Sequence, residues 1–205
     1  MSVNDDRPAA AVTGVADPAP LGLAAFALTT FLLSAANAGW MGSATKDAWL
    51  GYALGYGGLV QLLAGMWEFR NRNVFGATAF STYGGFWIGL ALWALLVAPK
   101  AASASAAEHD IAWILLGFFI FNTYMMIWST QINAAVFAVF LTLGLTELIL
   151  FIGNFAGNTS IVKIGGYVGL ITALVAWYTS AAGVINGMRA TPYVPVGKPF
   201  SNLLR

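Results

Sequence analysis

The chain has 205 residues, of which 59% are hydrophobic and only 8% charged. A soluble domain carries about 25% charged residues, so a water-exposed surface cannot be built from this composition, and an all-α membrane protein is expected. The formal net charge of +1 argues against nucleic acid as a partner, and the absence of cysteine excludes disulfides, thiolate metal sites and cysteine catalysis.

The first apolar run opens with "DPAPLGL" at Asp17 and continues as "AAFALTTFLLSAANAGW". Ala36-Asn37-Ala38 resembles a signal-peptidase site, but residues 1–20 hold one basic residue, Arg7, against Asp5, Asp6 and Asp17. The apolar run also exceeds the ~7–15 residues of a signal h-region, so it reads as a true span. About 20 apolar residues cross the hydrocarbon layer. On that measure six spans follow in order: residues 21–40, 48–67, 74–97, 111–128, 133–155 and 164–186. The fourth and fifth run together without a charge, and "STQIN" (residues 129–133) is the one place to turn. Trp40, Trp49, Trp67, Trp113 and Trp128 fall near span ends, where an interfacial belt would hold them.

With the N-terminus inside, Arg7, Arg70, Arg72, Arg189, Lys198 and Arg205 are cytoplasmic, and Lys46, Lys100 and Lys163 are outside. The excess of inner basic residues sets both termini in the cytoplasm. The expected organisation is a tail over residues 1–20, a six-helix transmembrane domain over 21–188 and a tail over 189–205. Both tails read as poorly ordered. Gly51/Gly55, Gly85/Gly89, Gly153/Gly157 and Gly165/Gly169 put small residues on helix faces, where close helix packing is expected.

Catalytic machinery is missing. The single histidine, His109, sits between Glu108 and Asp110 in what reads as a solvated outer loop rather than a metal site. No Lys or Arg falls within a span, which excludes a retinal Schiff base. Neither a cofactor nor a metal is expected, and the chain does not read as an enzyme. The groups at membrane depth are amides, hydroxyls and one acid: Thr29, Thr30, Asn37, Gln61, Ser81, Thr82, Tyr83, Asn154 and Glu147. Neutral donors spread over several helices suit a lined passage.

Pro18 and Pro20 fit the first turn of a helix, where a missing N–H costs nothing. Two readings of that turn stand at this point. Its free N–H groups and the positive end of the helix dipole can face an anion, or Pro-x-Pro is a rigid stop between tail and span.

The stretch from "DPAPLGL" to Gly39 resembles the N-terminal signature, usually NPAPLGL, of the acetate uptake transporter family, the bacterial succinate–acetate permeases and their fungal relatives. "GYGGLVQLLAGMWEFRNRNVFGATAFSTYGGFW" (residues 55–87) is similar to the family's central motif, and "IGNFAGN" (residues 152–158) to its fifth-helix motif. Asp17 where Asn is usual, and Glu147 in a generally apolar helix, are departures. The resemblance implies a six-helix protomer assembled as a homohexamer in the plasma membrane. Each protomer would carry acetate and related small carboxylates, succinate among them, by channel-like or proton-coupled passage. It places a hydrophobic constriction on Phe26, Tyr83 and Leu143, and substrate contacts on Leu21, Gly22, Thr29, Gln61 and Asn154.

The residues agree on depth. Phe26, Tyr83 and Leu143 lie five, nine and ten residues past the starts of parallel spans, a spread of roughly 8 Å at most at 1.5 Å per residue. Phe26, Thr29, Thr30, Leu33 and Asn37 recur at helical spacing and mix an aromatic with polar groups. Glu147 is four residues after Leu143, one turn further on the same face, with Asn154 continuing the stripe. An intramembrane carboxylate is costly when ionised and marks a functional candidate. Glu147 is therefore a proton-coupling candidate, against the plainer reading of a protonated acid bonded to a neighbouring helix. A channel for a neutral solute, urea or a short amide, is the alternative function.

Overall fold

A computed structural model describes residues 14–42 and 47–200. Helices fill it: α1 Ala19–Asn37, α2 Trp49–Leu54, α3 Gln61–Arg70, α4 Val74–Leu92, α5 Ala104–Ser129, α6 Ala134–Phe155 and α7 Thr159–Gly187. The sequence writes the starts of the long helices plainly. Asn73, Ser103, Asn133 and Asn158 each accept a backbone N–H two or three residues on, the N-cap geometry favoured by Asn and Ser. The turns that precede α4, α6 and α7 are short, at residues 71–73, 130–133 and 156–158, and Arg72 and Gly157 take a left-handed φ of 59° at two of them.

Five helical stretches among the described residues are long and apolar enough to cross a bilayer: Ala19–Asn37, Val74–Lys100, Ala104–Ser129, Ala134–Phe155 and Thr159–Gly187. The expected span at 48–67 takes a different form. Its backbone is helical from Trp49 to Arg70, but Gly55–Val60 is wound as a π-helical turn between α2 and α3. The cause is a close approach. A Cβ at Gly57 would lie 2.3 Å from the Thr29 hydroxyl of α1, and one at Gly84 would lie 2.7 Å from the Leu62 nitrogen. A second π-helical turn, Trp93–Val97, precedes a short 3-10 turn at Ala98–Lys100.

Helix α1 lies between α7 and the α2–α3 run; α7 packs on α6, α6 on α5, and α3 on α4. The interior mixes an apolar cluster around Tyr83 with polar side chains, and large apolar groups also cover the outside. The largest fully buried side chains are Gln61, Glu68, Asn122, Thr29, Thr172 and Ser129, whereas Trp113, Ile120 and Leu174 are about 60% exposed. Lipid favours that arrangement, with apolar groups outward and polar groups drawn inside, several of them in hydrogen bonds between helices. Thr146 of α6 and Thr172 of α7 share one such bond at 3.1 Å, of a kind that contributes about 0.6 kcal/mol on average in membranes.

Three expectations need correction. The close approaches use Gly57, Gly58, Gly65 and Gly84, along with Gly153, Gly165, Gly166 and Gly169, while Gly51, Gly55, Gly85 and Gly89 face open space. Glu108, His109 and Asp110 belong to the first turns of α5 rather than to a loop, and the His109 ring stacks on Phe155 at 5.2 Å. The C-terminal segment is ordered as far as Phe200. Asn186 clasps it, donating to the Val194 carbonyl and accepting from the N–H groups of Tyr193 and Val194. Ala135 N–H then donates to the Val196 carbonyl at 2.9 Å, and Phe200 N–H to that of Thr130 at 2.8 Å. The first thirteen residues lie outside the described ones.

Candidate functional site

Two cavities lie end to end inside the bundle. The larger, about 370 Å³, is at the side where α1, α4 and α6 begin and α7 ends. Its polar lining comes from Asp17, Gln61, Asn73, Asn133, Thr179 and Asn186, and Val196 of the C-terminal segment closes one flank. The smaller, about 40 Å³, extends toward the other side between Thr30, Ser34 and Asn37 of α1, Trp87 of α4, and Glu147 and Leu150 of α6.

Phe26, Tyr83 and Leu143 line both cavities, and among the described residues they are the three that the two share. They lie seven, nine and nine residues into α1, α4 and α6, a difference in depth of about 3 Å at 1.5 Å per residue. The first helix begins at Ala19 rather than Leu21, which brings the depths closer than the sequence suggested. All three side chains are buried, at 3–7% exposure. Phe26 meets Tyr83 edge-on at 5.9 Å, and Phe86, Phe118 and Phe121 surround the Tyr83 ring.

The Tyr83 hydroxyl is held by polar groups from two other helices. It lies 3.2 Å from Glu147 Oε1 and 3.3 Å from Asn122 Oδ1. The Asn122 amide has a fixed orientation because its Nδ2 donates to the Phe140 carbonyl at 2.8 Å. Room for it is left by Gly144, where a Cβ would stand 2.5 Å from that nitrogen. Asn122 was not among the polar residues singled out in the sequence, although an amide in the middle of "FFIFNTYMM" is the signal that marks it.

The remaining candidates divide. Gln61, at the end of the π-helical turn, is 1% exposed, lines the larger cavity and has no partner for Oε1. Thr29 lies off both cavities and donates to the Ala25 carbonyl at 3.0 Å while packing against Gly57. Its neighbour Thr30 takes the cavity position instead. Asn154 also lines neither cavity, and its Nδ2 returns to the Leu150 carbonyl of its own helix. Leu21 is 48% exposed, and Gly22 is packed on the Phe80 ring, where a Cβ would lie 2.7 Å away. In that first turn Asp17 accepts from the Ala19 N–H at 3.0 Å, and the Gly22 N–H donates to the Pro18 carbonyl at 3.1 Å. A carboxylate of the chain thus already occupies the end of α1 that was read as open to an anion.

A bundle of this form has counterparts. Over residues 3–198 the sequence matches the GPR1/FUN34/yaaH family. The chain belongs to that family. Within the GPR1/FUN34/yaaH family it is 42% identical over 195 residues to acetate permease A of Emericella nidulans, covering 88% of this chain and 65% of that protein, so it spans just under two thirds of that relative. It is 37% identical over 187 residues to the succinate-acetate/proton symporter SatP of Escherichia coli, covering 91% of this chain and 97% of that one. The solved structure of the bacterial acetate channel SatP superposes with a TM-score of 0.82 at 32% identity, covering 89% of this chain and 99% of that chain.

Proposed function

We propose that this chain moves acetate and related small carboxylates, succinate among them, across the plasma membrane through a pathway that narrows at Phe26, Tyr83 and Leu143. One observation carries the reading: three side chains from three helices at one depth are the lining that two successive cavities share. The names of relatives that cover most of this chain supply the solute class. Selection rests on dehydration and size at an apolar narrowing rather than on a ring of fixed charge. No cofactor is required for such passage, and no enzymatic step is involved.

Among the described residues no Lys or Arg lines either cavity, and Asp17 is the charged group at the larger one. A carboxylate would meet no counter-ion there, which favours passage together with a proton. The same observation favours the second reading, a neutral-solute channel for urea or a short amide. Glu147 is the group that would link passage to protons. The titratable side chain facing it is Tyr83 from α4; α1 brings the neutral Thr30, Ser34 and Asn37 to the same cavity and α5 brings Leu115, with Asn122 of α5 bonded to the Tyr83 hydroxyl outside its lining, and α7 brings no residue to it.

The protomer has six spans on this reading, the second being the continuous run Trp49–Arg70 with its π-helical turn. Arg70, Arg72, Arg189 and Lys198 fall on the side of the larger cavity, and Lys100 and Lys163 on the other, which supports cytoplasmic termini. Assembly as a homohexamer is supported by the open glycine pairs Gly51/Gly55 and Gly85/Gly89, which leave flat helix faces for neighbouring copies.

The test is flux of labelled acetate into proteoliposomes without added cofactor, with urea as competitor. Acetate uptake that an inward proton gradient accelerates and urea leaves unchanged is the expected result. Absence of acetate flux under either direction of the gradient refutes the reading, and suppression by urea favours the neutral-solute channel.

A further inference from the structure

The narrow level is lined from α1, α4 and α6, yet one of the groups that fixes it comes from α5. Helices α4 and α6 are not close neighbours: α4 packs mainly on α3, and α6 on α5 and α7. Tyr83 therefore reaches α6 through its side chain, and its hydroxyl ends 3.2 Å from Glu147 Oε1 and 3.3 Å from Asn122 Oδ1. Asn122 is 1% exposed and lines neither cavity. It touches no solute on this path, so what it contributes passes through Tyr83.

The amide is anchored at its other end. Nδ2 donates to the Phe140 carbonyl at 2.8 Å, three residues before Leu143 on α6. A flipped amide would set its oxygen against that carbonyl, acceptor facing acceptor, so Oδ1 is left for Tyr83. One side chain from α5 thereby ties the tip of Tyr83 to the part of α6 that carries Leu143. Phe118 and Phe121 meet the Tyr83 ring at 5.9 and 5.5 Å, but such ring contacts accept a range of tilts, whereas hydrogen bonds at the tip are directional. Gly144 supplies the seat. A Cβ there would stand 2.5 Å from Asn122 Nδ2, and the next atoms it would meet are Asn122 Cγ at 3.7 Å and Phe119 Cε2 at 4.0 Å. One atom, the amide nitrogen, closes that position to a methyl group. A glycine inside α6 costs helix propensity, and room for the amide is what it provides.

We propose that Asn122, seated against Gly144, is a positioning residue that keeps Tyr83 across the narrow level and so sets which carboxylates pass. The proposal rests on the transport reading and adds to it a specificity determinant outside the lining. With the amide in place, the Tyr83 tip is bonded toward α6 and the ring spans the gap from α4. With the amide lost or displaced, the ring is free to swing away from Leu143, and longer acids are admitted.

Two readouts on the full-length protein test this. One is fluorine NMR of detergent-solubilised protein carrying 3-fluorotyrosine at position 83; the other is the ratio of labelled succinate to labelled acetate flux in proteoliposomes, at matched assembly. Asn122→Leu keeps the bulk and removes both bonds. Gly144→Ala displaces the amide by adding one methyl group that a helix otherwise favours, and it carries the test alone where Asn122→Leu does not assemble. Each variant should shift or broaden the position-83 resonance and raise the ratio about threefold or more, the scale of one interhelical hydrogen bond in a membrane. In an Asn122→Ala background, where the nitrogen is gone, Gly144→Ala should change neither readout further. An unmoved resonance or an unmoved ratio overturns the positioning role, because an amide that only packs would lower both fluxes in proportion. So does a Gly144→Ala effect that persists in full in the Asn122→Ala background. Wild-type flux separates the two claims: acetate flux with a ratio indifferent to these variants removes the positioning role and leaves the transport reading, and absence of acetate flux removes both.

Discussion

Glu147 and Tyr83 meet at 3.2 Å in the interior of the bundle, and on the proposed reading that contact decides how the narrow level responds to protons. With the carboxyl neutral, Tyr83 is held from both sides, by Glu147 and by Asn122. Ionised, Glu147 cannot donate, the tyrosine proton must choose between two acceptors, and an incoming carboxylate is repelled. Glu147→Gln keeps a donor and an acceptor at any pH. Acetate uptake in wild type should therefore fall as external pH rises, and the Gln variant should keep transporting at high pH with a flattened profile. An unchanged profile in assembled variant protein removes Glu147 from the mechanism. The sequence made Glu147 visible as a lone acid at membrane depth, but it could not say which neighbours it bonds. Thr29 and Thr30 show the same boundary. Both fit a helical stripe with Phe26, at three and four residues, and only packing chose four, by turning Thr29 onto Gly57. Asn154 fits the stripe of Leu143 and Glu147 in period, yet lies past the end of the cavity and bonds its own backbone.

At the scale of elements, the start of α1 explains why two prolines and a glycine open a membrane helix. Pro18 and Pro20 sit where no N–H is missed, Asp17 ties the Ala19 N–H, and Gly22 admits the Phe80 ring of α4. The motif builds a joint between α1 and α4. Gly22→Val should then weaken assembly and uptake together, by overpacking of roughly 1–3 kcal/mol, readable as a loss of the assembled peak in size-exclusion chromatography in step with flux. Uptake lost from fully assembled protein would restore the reading of open N–H groups facing the solute. Hydropathy found the long spans, because burial in lipid demands unbroken apolar length, but it started two of them late, at 111 against Ala104 and at 164 against Thr159, where the first turns are polar. It missed the π-helical turn at Gly55–Val60, whose cause is a contact with α1 distant in sequence. It missed the C-terminal strap as well, since "TPYVPVGKPF" has no periodicity and is ordered by Asn186 and the start of α6.

For the whole molecule, the two cavities and the level they share form, on the proposed reading, one path from the side where α1 begins and α7 ends toward the opposite side. Depth counting along three parallel helices made that level legible from the sequence, and the resemblance named the residues that fill it. What no sequence pattern carries is that the same three side chains close one cavity and open the next. If they are the narrow point, enlarging it changes which solutes pass. Leu143 is the one to shorten, because Phe26 and Tyr83 also carry the aromatic cluster of the core. The deciding measurement is the ratio of labelled succinate to labelled acetate flux in proteoliposomes for wild type and Leu143→Ala, at matched assembly. The ratio is expected to rise about tenfold or more in the variant, while acetate flux persists. A ratio that stays at the wild-type value in correctly assembled Leu143→Ala protein would contradict passage between Phe26, Tyr83 and Leu143.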